Sequence, residues 1–307
     1  MLGRFIRAVC LALERLGLNA KKKRLAKSKF GRYLVDCILL PPDVFKILRT
    51  HKVALGKYPN ILFPKTFNEK LQRYKLTARR HRFTEWADKI LVRDYVANRI
   101  GEDYLTKLFW TGLRLGEAPW ASFPTQFVIK SNNGSGEIII VSSKDQFNLH
   151  AAEIQTNSWL NRDQSLTYAE WQYRWITPRL MIEELLTDSS GGIPVDFKFF
   201  CFHGQPRFVQ LDIDRFKSHC RVFVDLNYRR LPFGLIYPTE VEIPEKPSCW
   251  HEMIEISQAL SADEPFLRID LYNVGGSPRF GEMTLHPEAA CGKFFPENID
   301  FELGTFI

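Results

Sequence analysis

The residues best placed to do chemistry lie in one stretch near the end of the chain, residues 266–287. Two strand-like runs there flank a Gly-Gly-Ser-Pro sequence, the punctuation that a β-hairpin needs. Because side chains alternate along a strand, Arg268 and Asp270 share one face of the first strand. A turn near Gly276 sets Asp270 opposite Glu282, within one residue of register. The stretch therefore predicts two carboxylates and a guanidinium group directed into one space.

Two carboxylates at such a distance repel one another unless a cation lies between them. Mg²⁺ bridging to phosphate oxygens is the usual solution, so Asp270 and Glu282 are candidate metal ligands. Thr284 and His286 share the face of Glu282. The alternative is a solvated strand face with a charge pair, and the spacing alone leaves both interpretations open.

A second candidate site is a glycine loop between two apolar strands, residues 127–131 and 138–141. The loop reads Asn132-Asn133-Gly134-Ser135-Gly136, and Lys130 precedes it. Glycines leave backbone N–H groups unshielded, so such a loop can fold over phosphates with the lysine beside it. The spacing fits neither a Walker loop nor a GxGxxG fingerprint, and an ordinary hairpin turn is the alternative.

Two further elements place charged residues among apolar ones. Residues 180–186 form a strand that contains Glu183 and Glu184. Lys198 interrupts the apolar strand of residues 196–202, and a buried ammonium group needs a partner. Lys198 is thus, like Lys130, a cation set among apolar strand residues.

Helices must hold these strands. Thr66 can cap a helix together with Glu69, three residues further on. A second helix is predicted over residues 88–100, where Lys89 and Arg93 are four residues apart and project from one side.

The composition bounds the class of protein. At 307 residues and 45% hydrophobic, the chain can bury a real core in one large or two smaller domains. The net charge of +7 is uneven, because residues 1–34 carry +9 and the remainder −2, which argues against nucleic acid as a partner of the body. Six cysteines without a CxxC pair indicate reduced thiols in a cytoplasmic protein. No apolar run approaches the roughly 18–20 residues of a membrane span.

The basic first 34 residues have two interpretations. Residues 2–16 show helical spacing of apolar side chains, and a basic cluster follows at 21–24. Such a helix can lie on an anionic membrane surface, at the inner face of the membrane. It can equally dock on the body with a solvated basic tail, since both arrangements give the same pattern.

Seven motifs, in order along the chain, resemble the ATP-grasp superfamily and within it the TupA-like family, named for teichuronopeptide biosynthesis. They lie at residues 63–70, 88–93, 127–136, 182–186, 196–204, 268–272 and 281–287. The resemblance implies an α+β fold in which two α+β subdomains clamp a nucleotide. The domains implied are an N-terminal helical or pre-grasp region (57–125), a small subdomain with the glycine loop (126–187) and a large subdomain with the metal site (188–307). The resemblance does not cover the predicted basic amphipathic helical arm (1–56).

The resemblance also implies roles for the candidate residues towards ATP. Lys130, Lys89 and Lys198 would contact or approach its phosphates. The glycine loop, with Asn133, Gly134, Ser135 and Gly136, would cover the β- and γ-phosphates. Adenine and ribose would be held by Glu183, Glu184 and Leu185.

The remaining implied roles concern the transferred phosphoryl group. Arg268 and Lys198 would be catalytic, and Arg268 would steady that group. Asp270, Glu282 and Thr284 would hold Mg²⁺. Many ATP-grasp ligases carry asparagine where this chain has Thr284, and a hydroxyl is a poorer Mg²⁺ ligand, so one or two metal ions stay open.

The function implied is a Mg-ATP-dependent ligase that activates a carboxylate as an acylphosphate for attack by an amine. The carboxylate would be sugar-linked or that of an amino acid, in the biosynthesis of a surface polysaccharide of capsular, O-antigen or teichuronic type. A glycosyltransferase-type enzyme of the same pathway is the alternative, for which Asp212-Ile213-Asp214 is the one DxD-like triplet. A third interpretation is a catalytically weak nucleotide-binding protein that docks at a membrane through residues 1–34.

Overall fold

The computed structural model of the chain describes residues 29–307, except residues 189, 215–217 and 263. The chain divides into two compact units, Met1–Pro59 and Asn60–Ile307. The predicted amphipathic helix at 2–16 and the basic cluster at 21–24 lie outside the described residues. Within the described part, no helix is long and apolar enough to cross a membrane.

In the first unit, the described residues form helix α1 (Lys29–Leu55), which contains Pro41 and Pro42. Two prolines lack the N–H groups that the helix interior uses, so this is a locally weakened helix. His51 lies within the helix, and its Nδ1 is 2.8 Å from the carbonyl oxygen of Lys57, which follows the helix end. This contact fixes the chain where it leaves the helix.

The second unit contains a four-stranded antiparallel sheet. Its strands are β1 (Leu108–Gly112), β2 (Phe127–Ser131), β3 (Ile138–Val141) and β4 (Leu180–Glu183), in the order β1-β4-β2-β3. Side chains alternate along β2, so the apolar side chains of Phe127 and Ile129 lie on one face, within a hydrophobic core. Lys130 lies on the other face. Lys130 is paired with Met181 of β4, and Val128 with Glu183, so this second face carries both charged residues.

Strand β1 was not foreseen, because its sequence falls in the region 57–125 that we predicted as helical. It is a five-residue run, Leu-Phe-Trp-Thr-Gly, of the aromatic and branched residues that favour strands. Its pairing with β4 extends the small sheet into that region. The predicted domain boundaries themselves stay predictions.

A five-stranded antiparallel sheet forms the larger part of the unit. Its strands are β5 (Asp196–Phe202), β6 (Gln205–Ile213), β7 (Cys220–Asp225), β9 (Leu267–Val274) and β10 (Ser277–Thr284), in the order β10-β9-β5-β6-β7. A two-stranded sheet pairs β8 (Gly234–Leu235) with β11 (Phe294–Phe295).

The two faces of the five-stranded sheet differ. One face packs Phe197 and Phe199 against the helix Trp250–Ser261 in a large apolar core. On the other face, phenylalanine side chains fill one end of the sheet and charged side chains the other. The phenylalanines are Phe200, Phe202, Phe208 and Phe223.

The helices of the second unit surround these sheets. They are α2 (Phe67–Thr77), α3 (His81–Ala87), α4 (Val92–Ile100), α5 (Leu149–Leu160), α6 (Ser165–Tyr168), α7 (Trp250–Ser261) and α8 (Asn298–Gly304). Short 3-10 helices lie at Glu102–Tyr104, Leu115–Glu117, Trp120–Ser122, Lys144–Gln146, Trp171–Trp175 and Pro287–Ala290. Helices with antiparallel sheets are the mixture that the predicted α+β class requires.

The helix starts show where the sequence was right and where it was wrong. The predicted capping box is confirmed, because Thr66 accepts from the Glu69 N–H and Glu69 accepts from the Thr66 N–H. The predicted helix 88–100 begins only at Val92. Asp88 Oδ1 accepts from the Ile90 N–H at 2.9 Å, which holds residues 88–91 in a turn. Lys89 therefore lies in this turn and does not share a helix face with Arg93.

Glu264 ties the start of α3 to the strand β9. It is fully buried and accepts hydrogen bonds from Arg80, at 2.9 and 3.0 Å, and from Arg82 and Tyr74. Glu264→Gln removes the charge that these two guanidinium groups share. Because both arginines are half-exposed, we expect the free energy of unfolding in urea to fall by about 2 kcal/mol.

The matched control is Glu255→Gln on the surface of α7. The Glu255 side chain is 66% exposed and pairs with His251, so its loss should change the free energy of unfolding by less than about 0.5 kcal/mol. Equal losses in the two variants would contradict the role given to Glu264.

Candidate active site

The predicted pair Arg268 and Asp270 lies buried on β9. Arg268 Nε donates to Asp270 Oδ1, and Arg268 Nη2 donates to Asp270 Oδ2, each at 2.7 Å. This two-point contact is the strongest arrangement of a guanidinium with a carboxylate. Burial acts against the charge of Arg268, but Asp270 beside it outweighs burial and raises the arginine's pKa. The two residues meet because residues two apart on a strand share a face.

The other two predicted metal ligands converge on the same guanidinium group. Arg268 Nη2 lies 3.2 Å from Glu282 Oε1 and 3.0 Å from Thr284 Oγ1, and Thr284 Oγ1 donates to Glu282 Oε1 at 3.0 Å. The register of the hairpin explains this, since Glu282 pairs with Asp270 and Thr284 with Arg268. Oxygens from three residues thus surround one cationic nitrogen.

Lys198 of β5 lies beside this group and is almost fully buried. Its Nζ donates to Asp270 Oδ2 at 2.7 Å and also to Asp196, and Asp212 Oδ2 lies 3.9 Å away. Burial acts to lower the pKa of Lys198, but Asp196 and Asp270 outweigh it and raise the pKa, so the ammonium group stays charged. Burial, with Asp196 and Glu282, raises the pKa of Asp270 against the opposing effect of Arg268 and Lys198.

The row of charges continues to the far edge of the sheet. Arg221 of β7 donates from Nε to Asp212 Oδ1 at 2.7 Å and from Nη1 to Glu288 Oε1 at 2.8 Å. Burial opposes the charge of Asp212, but Arg221 prevails and lowers that carboxyl's pKa. His219 Nε2 lies 3.2 Å from Asp212 Oδ1.

We call this row the charge ladder. It consists of Glu282, Arg268, Asp270, Lys198, Asp196, Asp212, Arg221 and Glu288. Its five carboxylates outnumber its three cations, so the ladder can accept a further cation.

His286 does not join the ladder, although it follows Thr284 by two residues. It is buried, with Nδ1 3.3 Å from Gln172 Nε2 and 3.8 Å from Glu170 Oε1. Burial lowers the pKa of His286 to about 4, so the ring is neutral near pH 7.

On the small sheet, Lys130 and Glu183 form an ion pair of 2.5 Å. The other oxygen, Glu183 Oε2, accepts from Thr106 Oγ1 at 2.8 Å and lies 3.9 Å from Arg93 Nη1. Burial acts to raise the pKa of Glu183, but Lys130 prevails and lowers it. The predicted adenine-side glutamate is thus the partner of the predicted phosphate lysine.

The segment after β4 connects back to β1. The Glu184 N–H donates to the Lys107 carbonyl at 2.9 Å, and Glu184 Oε2 accepts from the Lys107 N–H at 3.3 Å. The Glu184 side chain is exposed, and Leu185 is half-buried. These residues form the edge of the small sheet next to Glu183.

The glycine loop is held from below by a buried carboxylate. Glu137 accepts from Ser131 Oγ and, at 2.8 Å, from Gln164 Nε2. A Cβ atom on Gly134 would lie 2.0 Å from Glu137 Oε2, so a larger residue there would have to displace the Glu137 carboxylate. Ser135 and Gly136 are exposed at the tip of the loop.

Asn132 and Asn133 of this loop behave differently. Asn132 Nδ2 donates to Asp88 Oδ2 at 3.0 Å, and its Oδ1 accepts from the Arg179 N–H at 2.7 Å. Asn133 is buried, but its Oδ1 has no hydrogen-bond partner within the described part of the chain. A buried amide oxygen without a partner is costly, which is typical of a site that awaits a ligand.

Lys89 lies at the junction of the two sheets. Its Nζ donates to the carbonyl oxygen of Gly134, and its N–H donates to Asn132 at 3.1 Å. Burial lowers the pKa of Lys89, with Glu282 acting to raise it and Lys130 to lower it further. Lys89 therefore interacts electrostatically both with Lys130 of the small sheet and with Glu282 of the charge ladder.

The structure thus gathers the predicted residues into two neighbouring groups. One is the charge ladder with Arg268, Lys198 and the three predicted metal ligands. The other is Lys130, Lys89 and Glu183 around the glycine loop. No cluster of three or more His, Cys, Asp or Glu side chains suited to a metal ion occurs among the described residues. The predicted ligand set has two carboxylates and a hydroxyl.

Sequence reasoning missed several members of these groups. Asp196 and Arg221 carry a signal, because each is a charged residue in step with Lys198 or Asp212 on a strand face. Glu137 carries a weaker signal as the acidic residue next to the glycine loop. The position of its side chain depends on Gln164, 27 residues away, so its role could not be predicted from the local sequence.

Residues 69–307 match the family model described as TupA-like ATP-grasp. The chain belongs to this family. Membership confirms the predicted resemblance and the predicted ATP-grasp α+β fold for these residues. A comparison with curated proteins found no match.

The TupA-like chain also resembles solved structures at low identity. D-alanine–D-alanine ligase from Bacillus anthracis, complexed with ATP, is 13% identical over 66% of this chain and 54% of that chain, with a TM-score of 0.38. L-amino acid ligase from Bacillus licheniformis is 12% identical over 76% and 46%, with a TM-score of 0.43. Phosphoribosylamine–glycine ligase from Thermotoga maritima is 14% identical over 71% and 55%, with a TM-score of 0.41. The chain spans about half the length of these structures.

The charge ladder predicts unequal stability effects at its two predicted metal carboxylates. Asp270→Asn leaves Arg268 and Lys198 buried without their shared carboxylate, so the free energy of unfolding in urea should fall by about 3 kcal/mol. Glu282→Gln is the matched control, because the Glu282 side chain is 42% exposed. Its substitution should cost less than about 1 kcal/mol. A smaller loss in the Asp270 variant would show that Asp270 is not the centre of the ladder.

Proposed function

We propose that this TupA-like chain is a Mg-ATP-dependent ligase that activates a carboxylate as an acylphosphate for attack by an amine. The observation that carries the proposal is the convergence of Asp270, Glu282 and Thr284 on Arg268, next to a second, lysine-lined group at the glycine loop. Nucleotide binding alone would not require the first of these groups. Membership of the ATP-grasp family supports the assignment.

The residues of the glycine-loop group suit a polyphosphate. Lys130 is in contact with Glu183 and can turn to a phosphate while Glu183 keeps Thr106 and Arg93 as partners. Lys89 can exchange the Gly134 carbonyl for a phosphate oxygen. The N–H groups of the exposed residues Ser135 and Gly136 would complete the cradle. Glu183, Glu184 and Leu185 lie where an adenosine moiety would continue from it.

The charge ladder suits the transferred phosphoryl group. Arg268 is fixed by Asp270, so its guanidinium is oriented before any ligand arrives. Lys198 is held charged beside it by Asp196 and Asp270. Positioning and charge neutralisation are the main requirements of phosphoryl transfer.

The oxygens of Asp270, Glu282 and Thr284 would hold Mg²⁺. The fit rests on their convergence around one cationic nitrogen and on the excess of carboxylates in the ladder. When bound, ATP would supply the γ-phosphoryl group and Mg²⁺ would neutralise the negative charge on its oxygens. Since Thr284 offers one hydroxyl oxygen, the two carboxylates would carry most of the metal affinity.

The substrates follow from the class of reaction. The acceptor of the phosphoryl group would be a sugar-linked or amino-acid carboxylate, and the nucleophile an amine. A place in surface-polysaccharide biosynthesis is part of the proposal and rests on the family resemblance. Asp212 is the first aspartate of the DxD-like triplet on which the glycosyltransferase alternative depends. It is buried in an ion pair with Arg221, which argues against its use as an open metal ligand.

Binding of Mg-ATP should raise the melting temperature of the full chain by mass action. At a nucleotide concentration of about 100 times Kd, the stabilisation would be about 2.7 kcal/mol. Lys130→Met should reduce this shift strongly, and Lys246→Met, at an exposed site, should not. The measurement is a thermal unfolding scan with and without Mg-ATP. A shift that the Lys130 variant retains in full would refute the phosphate role of Lys130.

Turnover should require a carboxylate and an amine together. The assay is ADP release from Mg-ATP with uronic acids and amino acids as carboxylates, and with amino acids, amino sugars or hydroxylamine as nucleophiles. Glu282→Gln should lower the rate at least about 100-fold while the protein stays folded. A melting shift with a nucleotide sugar but none with ATP would favour the glycosyltransferase instead.

A further inference from the structure

The loop before helix α2 exposes two large apolar side chains next to each other. Leu62 and Phe63 are each 76% exposed. Single exposed apolar residues are common on protein surfaces, whereas an adjacent pair at a loop tip is typical of a contact surface.

This loop is rigidly held, so the exposure is not a consequence of disorder. The Glu69 carboxylate accepts from the N–H groups of Asn60 and Lys65, each at 2.9 Å. Asn60 Oδ1 accepts from the Phe63 N–H at 2.9 Å, and Arg73 Nη1 donates to the Leu62 carbonyl at 3.2 Å. These hydrogen bonds fix the backbone of the loop while the Leu62 and Phe63 side chains stay exposed.

Cations surround the apolar pair. A shallow cavity of about 590 Å³ adjoins it, and its charged side chains are Lys65, Lys70 and Arg73. Between residues 60 and 73 these three cations are accompanied by a single acidic residue, Glu69. Because Glu69 is buried and committed to backbone N–H groups, it offers no negative charge to this surface.

We propose that this surface, residues 62–65 with Lys70 and Arg73, docks on an anionic phospholipid bilayer. Leu62 and Phe63 would enter the boundary between headgroups and acyl chains. Lys65 is exposed and long enough to reach a lipid phosphate, and Lys70, whose Nζ donates to the Ile307 oxygen at 2.7 Å, would exchange that partner for one. Each such cation adds to the attraction by an anionic leaflet, and salt screens it.

Charge complementarity favours a bilayer over other occupants. A second copy of the chain in a symmetric contact would place the same three cations against one another. A nucleic acid would satisfy the cations but leave Leu62 without a stacking partner. The proposal goes beyond the ligase function and is independent of it, since none of these residues belongs to the candidate active site.

The test is co-sedimentation of the full chain with vesicles. One set contains phosphatidylcholine alone and the other phosphatidylcholine and phosphatidylglycerol in about equal parts. We expect binding to the anionic set only, weakened by added salt. Leu62→Ser/Phe63→Ser should lower the partition coefficient at least about tenfold, and Lys65→Gln/Lys70→Gln by a similar factor.

Matched controls use other exposed residues of the second unit. Ile154→Ser/Leu166→Ser removes two exposed apolar side chains, and Arg114→Gln/Lys246→Gln removes two exposed cations. Both should bind the anionic vesicles like the unmodified chain. All variants should keep the melting temperature and its Mg-ATP shift, which separates this surface from the active site.

Four outcomes would overturn the proposal. They are no binding of the unmodified chain to anionic vesicles, equal binding to both vesicle sets, binding that survives Leu62→Ser/Phe63→Ser, and a dimer in solution that this variant dissociates. A further variant replaces Lys21, Lys22, Lys23 and Arg24 with glutamine. If that variant lost all binding while the Leu62→Ser/Phe63→Ser variant still bound fully, membrane contact would be assigned to the basic arm instead.

Discussion

The contact on which the rest of the site depends is that between Arg268 and Asp270. A guanidinium group and a carboxylate inside an apolar fold must satisfy one another, and here they do so through two parallel hydrogen bonds. Every further member of the charge ladder is placed relative to this pair, because Lys198 shares Asp270 and Glu282 shares Arg268. The cost of burying so many charges is met by pairing them across neighbouring strands.

Much of this arrangement could be predicted from the sequence. Alternation along a strand placed Arg268 beside Asp270, and the Gly-Gly turn set Glu282 opposite Asp270, as the observed register confirms. Both inferences use separations short enough for local geometry to fix. The family resemblance added the roles, and the family match for residues 69–307 confirmed its fold.

What escaped prediction depends on partners distant in sequence. Lys89 was assigned to a helix, but Asp88 holds it in a turn, where it contacts the glycine loop. Glu137 acquires its position from Gln164, and Arg221 is useful to the ladder because the strand order brings β7 beside β6. The sequence near each of these residues does not specify the element that packs against it.

The mixed face of the five-stranded sheet also bears on how faithfully the chain folds. Along β5, Lys198 belongs to the face of charges and phenylalanines, whereas Phe197 and Phe199 belong to the apolar face against the helix. A shift of β5 by one residue would place the Lys198 ammonium group in the apolar core and the Phe197 and Phe199 rings among the carboxylates. The charged residues of the candidate active site therefore also enforce the correct alignment of the strands. A mispaired sheet would be both inactive and unstable, so molecules that are folded but incompetent should be rare.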